Sequence, residues 1–236
     1  MNRRQFLGLA GAGVTVAVAG CGGGTDHPER GGARRTTAAT ANPPTPRNAT
    51  PNIDHPAASD LAAQPTLGEF TGKVVIAFED PSCPTCRGFY RHVYPKLQSK
   101  LIDTGKTAYV FRNYPVIYPW GKPASKALEA TFQRDSAVGW DLLDFYFREQ
   151  GSFDTDSVRA KTETYLNDET SVDGTAVIEA VERGEADAAV QADLDAGKAA
   201  GVGGRTPTFV LFRGDEYVTQ VAGSVSYNTI ATVLGA

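Results

Sequence analysis

Cysteine, histidine, methionine and tryptophan are all scarce in this chain, which has three, three, one and two of them in 236 residues. Three cysteines are too few for a fold built on disulfide staples, and their odd number leaves one thiol outside any pair. Histidines at 27, 55 and 92 alone offer little to a metal centre. Positive charge is not in excess: the net charge is -4, so no basic surface points toward nucleic acid. No apolar run reaches the roughly 20 residues of a spanning helix. A composition of 41% hydrophobic and 21% charged residues suits a soluble globular protein, either one ordinary domain with extensions or two small domains.

The chain opens on Asn2-Arg3-Arg4-Gln5-Phe6-Leu7, followed by an uncharged stretch to Gly20 with glycines at 8, 11, 13 and 20. A basic start, a short apolar stretch and adjacent arginines resemble a twin-arginine export signal. An ordinary secretory signal or an N-terminal anchor helix has a similar outline. Val18-Ala19-Gly20-Cys21 follows, resembling the lipobox of exported lipoproteins. That resemblance implies a signal segment over 1–21, with Cys21 lipidated and the protein held on the outer, extracytoplasmic face of the cell membrane. Cleavage nearby without a lipid is the alternative.

Residues 22–65 have a linker's composition: Gly, Ala, Thr, Pro, Asn and Ser fill 31 of 44 positions. Ile53 and Leu61 are the only large apolar residues there, too few to offset the cost of ordering the segment. A disordered tether is expected, carrying an N-glycosylation triplet at Asn48. One compact domain is expected over 66–236, with 17 basic and 23 acidic residues.

Lys73-Val74-Val75-Ile76-Ala77-Phe78-Glu79 is short, apolar and β-branched, which predicts a buried central strand. Cys83-Pro84-Thr85-Cys86 comes next, and Phe89, Tyr90, Val93, Tyr94, Leu97 and Leu101 then recur at helical spacing. Cys83 therefore sits where a strand gives way to a helix N-terminus. Unpaired N–H groups and the helix dipole there favour a thiolate, lowering the pKa from the free value of about 8.5. Cys86, one turn on, is within disulfide reach, giving an attacking thiol and a resolving thiol. The same pair could instead be half of a zinc site. However, His27 and His55 lie in the linker, and His92 is turned about 180° from Cys83 at 100° per residue. As a structural staple, a four-residue loop would constrain little of the unfolded chain.

A strand, CPTC, a helix and then Gly201-Val202-Gly203-Gly204-Arg205-Thr206-Pro207-Thr208-Phe209 resemble the thioredoxin superfamily, and within it the DsbA-like disulfide oxidoreductases. The resemblance implies an α/β thioredoxin-like fold: a central mixed β-sheet flanked by helices, with a helical insertion at about 122–200. It also implies a cis Pro207 beside the cysteines, with the backbone of Thr206 docking a substrate peptide. Pro84 and Thr85 would support the active site. Ala77 stands where many relatives carry a buried acid that moves protons for the second thiol, so the proton shuttle is left open between Glu79 and Asp80. The strongly oxidising bacterial enzyme has a histidine at the position of Thr85. Threonine brings a hydroxyl but no charge, so a less depressed thiol pKa and a less oxidising couple are expected.

The function implied is thiol–disulfide exchange on cysteine-containing exported or unfolded proteins. It needs no dissociable cofactor and no metal, and it exchanges electrons with an unidentified membrane redox partner. Two alternatives are copper or zinc handling through Cys83 and Cys86, and a non-catalytic tethered peptide-binding module.

Within the insertion, Leu128 and Phe132 mark a first helix, and Asp135-Ser136 caps a second that carries Val138, Leu142, Phe145 and Tyr146. Further helices are expected at about 155–167, 174–183 and 186–200. An antiparallel pair, Phe209–Phe212 with Tyr217–Val221, and a helix from about Tyr227 close the domain.

Overall fold

A computed structural model describes residues 50–236. The expected signal segment, the lipidation expected at Cys21 and the glycosylation triplet at Asn48 lie outside the described residues. Five strands form one mixed sheet: β1 (Thr66–Leu67), β2 (Lys73–Glu79), β3 (Ala108–Asn113), β4 (Thr208–Arg213) and β5 (Glu216–Ala222), in the order β1-β3-β2-β4-β5. β2 and β3 run parallel, and the other pairs are antiparallel. The sequence reading of β2 matches the strand residue for residue, because a short, continuously apolar run suits a strand covered on both faces.

Alternation along β2 assigns those faces. Val75 and Ala77 pack with Phe89, Leu97 and Leu101, beneath α1 (Pro84–His92), α2 (Tyr94–Leu97) and α8 (Tyr227–Leu234). Val74, Ile76 and Phe78 pack on the other face against α7 (Asp187–Ala199) and the N-terminal segment. Between β3 and β4 lies the helical insertion: α3 (Gly121–Phe132), α4 (Ser136–Arg148), α5 (Val158–Glu169), α6 (Gly174–Glu182) and α7. Asp135 caps α4 by accepting from the amides of Ala137 and Val138. β4 and β5 turn at Gly214, whose φ of 65° favours glycine.

Two expectations need correction. The apolar pattern from Phe89 to Leu101 predicts one continuous helix, but the chain breaks at Val93 and resumes as α2 and a π-turn over Gln98–Ile102. Pro95 explains the interruption, since it has no N–H to donate to the carbonyl four residues earlier. The second correction concerns residues 51–65, expected to be disordered linker. They are ordered, with short 3-10 turns at Pro56–Ala58 and Leu61–Ala63. Ile53, Ala57, Ala58 and Leu61 join the core on the α7 face of the sheet. Arg112 donates to the carbonyls of Ala57 and Ser59, and its guanidinium pairs at 2.7 Å with Asp193 of α7. Composition averaged over a long segment does not reveal that Ile53, Ala57, Ala58 and Leu61 share one surface, nor that Arg112 of β3 satisfies the Ala57 and Ser59 carbonyls.

Candidate active site

Cys83 is the N-cap residue of α1. Its extended backbone (φ -78°, ψ 119°) turns the sulfur back over the first helical turn, where the Cys86 amide donates to Sγ at 3.4 Å. Pro84 occupies the first helical position, where a missing N–H leaves nothing unpaired. Across from this turn, the Thr206–Pro207 peptide bond is cis, and Cys83 Sγ donates to the Thr206 carbonyl at 3.2 Å. A separation of 123 residues in sequence thus becomes direct contact. Cys83, Pro84, Thr85, Cys86, Thr206 and Pro207 come together in one place.

Both thiols are free, and their surroundings differ. Cys83 is 2% exposed and its pKa is pushed down to about 6. Hydrogen bonding from the Cys86 thiol contributes most; burial opposes it, and Thr206 and the backbone amides of Cys86 and Thr85 assist. Thr85 thus acts through its amide rather than the hydroxyl expected from sequence. The Thr206 hydroxyl is buried without a partner while Cys83 is a thiol, and it becomes a donor once the sulfur ionises. Cys86 is fully buried, and its pKa is raised well above the ordinary thiol value. Desolvation is the largest cause, followed by the Cys83 side chain and the nearby Glu79 carboxylate.

Glu79 is the buried acid near this pair. It lies two residues after Ala77 on β2, and alternation puts both positions on the α1 face. The Tyr109 hydroxyl donates to Glu79 Oε1, while Oε2 is buried without a partner. Burial pushes the carboxyl up to about 8, opposed by the Tyr109 hydrogen bond and assisted by Cys83. Asp80 does a different job. One of its oxygens accepts from the Ser82 amide and hydroxyl, at 2.7 and 2.6 Å. The other accepts from the amides of Val116 and Ile117, both at 2.8 Å. Gly121 is required alongside, since a Cβ there would come within 2.5 Å of Asp80 Oδ1.

Gln150, from the insertion, is a supporting residue that sequence reasoning misses. Its amide donates to the carbonyls of Pro81 and Cys83, at 2.8 and 3.0 Å, and so fixes the loop that carries the nucleophile. No sequence signal marks a glutamine whose partners are main-chain oxygens 67 and 69 residues away. The Glu79 position, by contrast, is readable from strand alternation. His92 is exposed on α1. Among the described residues, no group of three or more His, Cys, Asp or Glu is arranged to hold a metal, and no helix is long and apolar enough to cross a membrane.

Chemically, the arrangement pairs a sulfur that ionises near neutral pH with one that holds its proton, within the influence of a buried carboxyl. A family model described as Thioredoxin matches residues 61–229. Disulfide bond formation protein D of Bacillus subtilis is 31% identical over 91 residues, 38% of this chain and 41% of that protein. The alignment thus spans less than half of that relative. The crystal structure of oxidised BdbD from Bacillus subtilis superposes with a TM-score of 0.64 at 22% identity, covering 75% of this chain and 95% of that one. Wolbachia pipientis alpha-DsbA1 gives a TM-score of 0.61 at 21% identity, over 73% of this chain and 89% of the other. These two likenesses show a shared DsbA-type thioredoxin fold with its helical insertion.

Proposed function

From the premise that this chain belongs to the thioredoxin family, we propose that it is an extracytoplasmic thiol–disulfide oxidoreductase acting through Cys83 and Cys86. The observation that carries this reading is the asymmetry of the pair: a helix-capping Cys83 held near a pKa of 6 beside a fully buried Cys86 held high. That is the division of labour expected of a nucleophile and a resolving thiol. The printed name of the Bacillus subtilis relative, a disulfide bond formation protein, supports it.

The exchange is reversible and balances as follows. A substrate thiolate attacks Cys83 Sγ in the oxidised pair, forming a mixed disulfide as the Cys83–Cys86 bond breaks. Cys86 leaves as a thiolate and takes a proton, for which the buried Glu79 carboxyl is the proposed source. A second substrate thiolate attacks its own half of the mixed disulfide and releases Cys83 as a thiolate. Two electrons have then passed from the substrate dithiol to the protein. In the opposite direction Cys83 attacks a substrate disulfide and Glu79 accepts the Cys86 proton. Thr206 is the docking residue, its backbone lying against Cys83 beside the cis Pro207.

The adjacent arginines, the short apolar stretch and the lipobox-like Cys21 support export and lipid anchoring at the outer face of the cell membrane. Exported cysteine-containing proteins are then the substrates, with a membrane redox partner to reset the pair. Cys83→Ser tests the reading. Exchange with a model dithiol peptide is expected to fall to the uncatalysed background; an unchanged rate overturns it.

A further inference from the structure

Charge is divided unevenly along this chain. Residues 81–128 carry eight Lys and Arg against one acid, Asp103, whereas residues 129–236 carry eight against nineteen acids. A domain that is acidic as a whole therefore contains a basic segment, and both cysteines of the redox pair lie in it.

Three arginines stand close to the nucleophile. Arg87 and Arg91 follow Cys83 at four-residue steps on α1, so all three positions share one face of the helix. Arg87 lines a cleft of about 520 Å³ together with Ser82 and Pro84, the residues on either side of Cys83. Arg205 comes from the acidic part of the sequence, but the fold brings it to the same place. It precedes Thr206, whose carbonyl is 3.2 Å from Cys83 Sγ. Arg91 and Arg205 are exposed and Arg87 is half-buried. Among the described residues, none of the three makes an ion pair, whereas Lys126, Arg148 and Arg183 pair with Asp187, Asp144 and Glu179. The acids nearby are engaged otherwise. Glu79 and Asp80 are buried, and Asp154, the one acid lining the cleft, accepts the amides of Asp156 and Ser157.

Resting on the redox reading above, we propose that Arg87, Arg91 and Arg205 form an electrostatic docking rim for acidic polypeptides, favouring substrate cysteines flanked by Asp or Glu. Attraction between solvated charges reaches over about one Debye length, roughly 8 Å at physiological ionic strength. An extended chain advances roughly 3.3 Å per residue, so carboxylates one or two residues from a cysteine bonded to Cys83 stay within that reach of the rim. Charges placed at such a rim act on the encounter rate and its salt dependence. An anionic lipid surface offers similar chemistry, but a bilayer seated here would cover Cys83 and close it to substrate. The occupant is therefore the reacting polypeptide.

The test uses the full chain carrying Cys21→Ser and dithiol peptides identical except for Asp or Lys two residues from each cysteine. The rate at which each peptide reduces the oxidised protein is divided by its rate with hydroxyethyl disulfide, a neutral oxidant, which removes differences in peptide thiol acidity. This normalised rate is expected to be about tenfold higher for the Asp peptide at about 0.01 M salt, and to become equal near 1 M, where screening shortens the reach to about 3 Å. Arg87→Gln combined with Arg205→Gln is expected to bring the low-salt ratio toward one. Equal rates at low salt overturn the rim, as does a preference that the double variant or high salt leaves intact. Phosphatidylglycerol vesicles supply the competing anion: binding that the double variant loses, together with equal peptide rates, assigns the arginines to a membrane and overturns the proposal. Labelled peptides with serine for cysteine, followed by anisotropy, separate the rim from the redox reading. If the Asp form binds in preference while no thiol reacts, the rim stands and the redox reading fails. If both dithiol peptides react equally, the redox reading stands and the rim fails.

Discussion

The two cysteines are three residues apart and chemically identical, yet the fold sends their acidities in opposite directions. Cys83 caps a helix and is surrounded by donors: the Cys86 thiol and amide, the Thr85 amide and the Thr206 hydroxyl. Cys86 is one turn deeper, in full burial, next to a carboxylate. Desolvation acts on both thiols and wins at Cys86, where burial is complete and a backbone contact at Asp80 is the one opposing influence of note. Position in the helix, rather than residue type, thus assigns the roles. The contrast extends to the neighbouring acids, where Glu79 sits buried with one free oxygen while Asp80 has both oxygens engaged.

The most direct way to break this comparison is to remove the buried thiol. Cys86→Ser is expected to leave Cys83 reactive with substrate disulfides but unable to resolve the product. Mixed disulfides should then accumulate to near stoichiometry on a non-reducing gel, whereas Cys83→Ser should give none. Equal trapping by both variants would erase the assigned roles.

Glu79→Gln tests the proton supply to Cys86. Loss of a positioned acid–base group costs on the order of a hundredfold in the exchange step, read in single-turnover kinetics. The same variant alters stability in a defined direction. Glu79 has its carboxyl raised from 4.5 to about 8 in the folded state. The folded state therefore keeps a proton that the unfolded state loses. That contribution is fully present below about 4.5 and is lost as pH rises through about 8. In the oxidised protein, where the thiols do not titrate, Glu79→Gln should be increasingly stabilising relative to the parent across this window. The gain is on the order of a few kcal/mol, followed by denaturant melts at several pH values. A pH-independent difference would remove Glu79 from the buried, proton-holding role.

A smaller effect sharpens the Cys83 side. Thr206→Val keeps the shape but removes the hydroxyl that has no other partner. A single donor to a thiolate is worth on the order of 1–2 kcal/mol, so the Cys83 pKa should rise by about one unit. An unshifted titration would limit Thr206 to its backbone contact.

Where order comes from local periodicity, the sequence was legible. β2, the β4–β5 pair and the start of α8 at Tyr227 follow from apolar runs and helical spacing. The insertion helices are legible to within a few residues at their ends; α5 begins at Val158 rather than near 155. The helix break was also written in the chain, at Pro95, but was masked by a strong apolar stripe. Non-local satisfaction was not legible. Gln150 holds Pro81 and Cys83, Asp80 holds the Val116 and Ile117 amides, and Arg112 holds the Ala57 and Ser59 carbonyls. Each is a polar side chain meeting a main-chain group far away in sequence, which leaves no periodic trace. The site itself lay in between: CPTC and Thr206-Pro207 stood out by motif, while Glu79 needed the strand's two-residue period applied from Ala77.

The central claim is that the two thiols of one motif are set apart by their surroundings, and alkylation of the reduced protein as a function of pH tests it most directly. With mass-spectrometric assignment of the modified residue, Cys83 should react first, with a midpoint near pH 6, while Cys86 stays protected until well above the ordinary thiol range. Simultaneous modification of both cysteines, or a Cys83 midpoint at the free value of about 8.5, would contradict it.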